Sequence, residues 1–149
     1  MSDLIQNTDL CSITTEGASS EQTAVFTDVE LCRDSDDATY SRCRAGDDGN
    51  LKIIWGKWHF TFNTPLTNLS LLNIKYGYAK SGPAKVHAIE NLSMKIILTY
   101  SDLSTEEVYA YSAYYAKDPP QSSKTFTPAD ITGAWSDVIK ISVEATMKA

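Results

Sequence analysis

The sequence predicts an all-β protein, an antiparallel β-sandwich, on three observations. Apolar and polar residues alternate with period two along five separate runs. Clusters of Gly, Pro, Asn and Asp separate those runs, and only one short stretch carries a helix start signal. Strands whose outward positions are polar do not fit a parallel sheet buried on both faces. Antiparallel layers that each bury one face are the economical alternative.

The first run places Trp58, Phe60 and Phe62 opposite Lys57, His59 and Thr61. Asp47-Asp48-Gly49-Asn50 precedes it and Asn63-Thr64-Pro65 is expected to end it. In the second, Leu72, Ile74, Tyr76 and Tyr78 alternate with Asn73, Lys75 and Gly77, up to the break at Ser81-Gly82-Pro83. Leu92, Met94, Ile96, Leu98 and Tyr100 form the clearest inward row, against Ser93, Lys95 and Thr99. A further strand is read from about Glu107 to Tyr115, ahead of Asp118-Pro119-Pro120. Thr127-Pro128-Ala129-Asp130 predicts one helical turn, with threonine as cap, proline at the first helical position and aspartate at the positive end. Ile139, Ile141, Val143, Ala145 and Met147 close the chain as an inward row against Lys140, Ser142 and Glu144.

At 149 residues the chain is read as one domain, 1–149, with residues 1–35 an acidic, partly irregular N-terminal segment. A chain of this size buries enough surface to fold without a staple. Residues 1–50 hold eleven of the nineteen acids and three of the thirteen bases, so they sum to −8 within a net charge of −6. Nucleic acid is therefore not an expected partner, because phosphate binding runs on a Lys/Arg surplus. No run approaches the roughly 20 apolar residues of a membrane span, so no membrane partner is expected. Met1-Ser2-Asp3 has none of the basic and apolar character of an export signal. Asn68-Leu69-Ser70 and Asn91-Leu92-Ser93 match the glycosylation acceptor pattern and are read as chance matches on that account. Cys11, Cys32 and Cys43 form no C-x-x-C pair, which favours reduced thiols and leaves a Cys32–Cys43 bridge as the alternative.

Catalytic motifs are missing from the chain: it has no G-x-S-x-G, no H-E-x-x-H and no S-x-x-K. Gly77-Tyr78-Ala79-Lys80-Ser81-Gly82 imitates the start of a phosphate loop, but Pro83 stands where the lysine belongs. His59 and His87 are the only histidines and are read as surface residues, so no catalytic residue is assigned and no enzyme activity is expected. Asp36, Asp47 and Asp48 are the candidate metal ligands. They lie in two neighbouring acidic loops whose carboxylates and carbonyls could supply the six to eight oxygens of calcium, and no other cofactor is expected. The competing reading is a pair of solvated turns. Tyr109, Tyr111 and Tyr115 share one strand face, where rings either stack on sugars or fill the core with their hydroxyls at its edge. Trp135, beside Gly133, is likewise either a core plug or a stacking surface.

Several elements, in order, resemble a family of jelly-roll proteins from bacteriophage virions and prophages, themselves similar to galactose-binding and carbohydrate-binding sandwiches. They are Asp36-Asp37-Ala38-Thr39-Tyr40, Gly46-Asp47-Asp48-Gly49 and the strand ending Trp58-His59-Phe60-Thr61-Phe62. Leu69-Ser70-Leu71-Leu72-Asn73-Ile74-Lys75-Tyr76, Phe126-Thr127-Pro128-Ala129-Asp130-Ile131 and the strand Ile139–Ala145 complete the series. The resemblance implies a jelly-roll-like sandwich in a virion structural or appendage protein, such as a tail, fibre or capsid-decoration component. Its implied partners are other virion proteins and copies of itself in a homo-oligomer, with surface glycans as a further partner. A carbohydrate-binding module with a structural calcium ion, using Tyr109, Tyr111 and Trp135, is the alternative.

Overall fold

A computed structural model describes residues 5, 9–19, 25–33, 41–44, 53–76, 91–114 and 127–148. Their regular structure is nearly all strand. In chain order the strands are β1 (Cys11–Ser19), β2 (Val25–Thr27), β3 (Arg42–Arg44), β4 (Ile53–Leu66) and β5 (Leu69–Tyr76). They continue with β6 (Asn91–Tyr100), β7 (Thr105–Tyr114), β8 (Thr127–Trp135) and β9 (Val138–Lys148), and a short 3-10 helix covers Val29–Arg33.

Five strands form one antiparallel sheet in the order β1-β4-β9-β6-β7, while β2 pairs with β3 and β5 with β8. The last strand is thus the middle of the large sheet, hydrogen-bonded to β4 on one side and β6 on the other. Its register aligns Ile13, Phe60, Ile141 and Leu98 across four strands on one face. Phe60, Leu98 and Ile141 are inward positions that the alternation predicts, and Leu98 is completely buried. Leu72 of β5 and Ile131 of β8 join Phe60, Phe62, Ile96, Leu98 and Ile141 in one core cluster, so the β5–β8 pair closes over the large sheet as a second layer.

Two expectations are corrected. Residues 127–130 are the start of β8 and not a helical turn. Thr127 and Pro128 pair with Tyr76 and Lys75, and Asp130 accepts a hydrogen bond from Asn73 Nδ2. Pairing with β5 outweighs a local cap signal worth about 1 kcal/mol, and Pro128 sits near the strand start, where a missing N–H is tolerated. Asn63-Thr64-Pro65 does not end β4, which runs on to Leu66. The ladder with β9 is interrupted between Thr61 and Leu66, so Pro65 falls where β9 asks for no N–H. Cys43 carries a free thiol, in line with the reduced state that the cysteine spacing favours.

That thiol lies against Gly56, where a Cβ would come within 2.7 Å of Cys43 Sγ and 3.1 Å of Phe26 Cζ. Burial pushes the Cys43 thiol up to about 11. Beside it the Trp58 ring meets Phe26 edge-on at 5.2 Å, and its Nε1 donates to Ser41 Oγ at 2.7 Å. Arg33, with only 7% of its side chain exposed, ties the 3-10 helix to the start of β1. Its Nη1 donates to the carbonyls of Cys11 (2.8 Å) and Ile5 (3.3 Å), and its Nε to Glu30 (2.7 Å).

Gly56→Ala is expected to destabilise the fold by about 1–3 kcal/mol through this overpacking, and Leu98→Ala by about 2–5 kcal/mol through the cavity it leaves. Urea denaturation followed by tryptophan fluorescence measures both.

Candidate functional site

The outward face of the large sheet carries a polar network built by cross-strand register. Thr14, His59 and Ser142 lie abreast on β1, β4 and β9, and Glu16, Lys57 and Glu144 form the next row. His59 is therefore not a simple surface residue. Its Nδ1 is 2.7 Å from Ser142 Oγ and its Nε2 3.1 Å from Glu16 Oε1. With a neutral ring, Nε2–H donates to the carboxylate and Nδ1 accepts from the hydroxyl. Lys57 Nζ meets Glu144 at 2.7 Å and Glu16 at 3.8 Å, and lies 5.4 Å from the Trp55 ring centroid. The hydrogen bond from His59 holds the Glu16 carboxyl below its usual range, and that to Glu144 raises the Lys57 ammonium.

Serine, imidazole and carboxylate in sequence are the groups of a hydrolytic triad. Here the serine is 5% exposed and sits mid-strand, where β4 and β6 take up the ladder bonds of β9 on both sides. Strand amides engaged in this way supply no pair of donors for an oxyanion. The network acts as a polar staple across β1, β4 and β9.

The candidate ligand residues are distributed differently. Tyr109 and Tyr111 lie opposite Ile96 and Met94, so they share the core face of β7, and both are half-buried. Tyr109 packs against the core cluster, as does Trp135 at the end of β8. The Trp135 ring also lies over Gly133 and fills the space that a Cβ would take there. Both side chains thus give part of their apolar surface to the core. Asp36, Asp47 and Asp48 lie outside the described residues. Among the described residues no group of three or more His, Cys, Asp or Glu could hold a metal ion.

Sequence reasoning passes over a further surface, at the end of the sandwich where three turns meet. Val138 pairs with both Leu66 and Tyr100, which brings the β4–β5, β6–β7 and β8–β9 turns side by side. Ser101 N donates to Asp137 O at 2.9 Å, and Ser136 Oγ donates to Thr67 O at 2.8 Å. A half-open groove of about 320 Å³ lies here, lined by Leu10, Phe62 and residues 64–69. In the β6–β7 turn Leu103 N donates to Tyr100 O, Tyr100 N to Ser104 O, and Ser104 N to Asp102 Oδ1, each at 2.9 Å. Tyr100 also donates its hydroxyl to Glu106, which pushes the phenol up to about 12. Leu103 has a φ of 68° and is 75% exposed. A hairpin of this kind normally places Gly or Asn at that position.

No family model, curated protein or solved structure matches the chain.

His59→Ala is expected to lower stability by about 1–3 kcal/mol, because it leaves the buried Ser142 hydroxyl without its partner. Glu16 contributes in full above its unfolded value of 4.5, and its contribution fades as pH falls through the lowered folded value. Glu16→Gln therefore flattens the acid limb of the stability profile, while costing less than about 1 kcal/mol at neutral pH because the pair is exposed. Urea midpoints measured across the acid range check both variants.

Proposed function

We propose that the chain is a non-enzymatic structural β-sandwich that works by association. In this reading it is a virion component of the tail, fibre or capsid-decoration kind implied by the jelly-roll proteins it resembles. The observation that carries the reading is how the chain uses its chemically capable side chains. His59 and Ser142 are tied into a staple across three strands, and Tyr109 and Trp135 pack on the core. What faces outward at the turn end is an apolar groove and exposed leucines, with Leu10 at 40%. Apolar surface of this kind suits burial against another protein of the particle.

The test is quantitative mass spectrometry of purified phage particles from the host that carries the gene, paired with sedimentation of the isolated chain. A fixed copy number per particle, with concentration-dependent assembly in solution, is expected. Absence from particles together with a monodisperse monomer overturns the reading. Chelator-sensitive binding on a glycan array would replace it with the carbohydrate-binding module.

A further inference from the structure

The turn end of the sandwich combines an apolar groove, a protruding leucine and an acidic margin. Asp102, Glu106 and Asp137 are exposed around it, and segments 63–69, 100–106 and 134–139 contain no lysine or arginine. Leu103 occupies a left-handed conformation that a leucine adopts at a cost, and its exposure means that no burial in this chain offsets that cost. Hydrogen bonds within the turn and from Ser101 to Asp137 hold the backbone that carries this side chain. A strained backbone that leaves an apolar side chain in solvent points to a role for that residue beyond the packing of its own chain.

We infer that this end docks a basic partner protein, whose apolar anchor enters the groove between flanking lysines or arginines while Leu103 packs beside it. Charge decides the occupant. A second copy joined end to end about a two-fold axis would bring the same three carboxylates face to face, in a chain of net charge −6. A partner with basic residues around an apolar anchor meets both the groove and its margin. The inference rests on the proposal that the chain acts by association, and it names the chemistry of one neighbour.

The experiment selects a random dodecapeptide library on the immobilised full chain, then maps the selected peptide by amide NMR on the labelled protein. Enriched peptides are expected to carry an apolar residue flanked by Lys or Arg and to shift the amides of residues 66–69, 101–104 and 136–137. Binding should weaken with salt. Leu103→Asn removes the leucine and suits the turn, so it should weaken binding by roughly fivefold or more while leaving the melting temperature unchanged or higher. Enriched peptides without basic residues, shifts elsewhere, or binding indifferent to Leu103→Asn overturn the inference. So do concentration-dependent shifts of the same amides without peptide, which would assign the surface to a second copy. Peptide binding as expected by a chain missing from particles overturns the virion assignment alone. A chain present in particles but without this binding overturns the docking surface alone.

Discussion

The fold depends on the placement of β9 between β4 and β6. That strand contributes Ile141 to a row that also contains Ile13, Phe60 and Leu98, and this row is the centre of the core. Every other packing relationship follows from it. Phe62 and Cys11 extend the row on one side, and Leu72 and Ile131 of the β5–β8 pair cover it. Since successive residues of a strand face opposite ways, fixing this register also fixes which polar groups meet on the far side.

The far side shows how little of its chemistry is left over. His59 is satisfied on both ring nitrogens, Lys57 is shared between two carboxylates, and Ser142 lies beneath them. The network links β1 to β9 through β4, so it reinforces the strand order that the core row establishes. The apolar face and the polar face thus specify the same arrangement by different means. At the turn end the core row itself reaches the surface, where Phe62 lines the groove with Leu10 and residues 64–69.

Alternation made the inward rows of β4, β6 and β9 legible, since Phe60, Phe62, Met94, Ile96, Leu98 and Ile141 are all buried. It could not reveal Val138, fully buried although it has the opposite parity to Ile141, because the ladder shifts register beside it. The start of β8 was misread for a related reason. Cap chemistry is local, whereas the pairing of Pro128 with Lys75 spans distant parts of the chain. The His59 network is equally non-local, with Ser142 and Glu16 lying 83 and 43 residues away. Leu103 was invisible for the opposite reason: a leucine gives no sign that its backbone is left-handed, whereas glycine would have.

The central position of β9 also governs the order in which the molecule can assemble. The strand follows both of its partners in the chain, so a ribosome synthesises it after β4 and β6. Until it emerges, β4 and β6 have no shared neighbour, and their apolar rows and ladder edges stay open together. The sheet therefore closes by long-range pairing only once β9 has been made, in the slow regime of non-local β topologies. Loss of β9 would remove the middle of the sheet and not its margin.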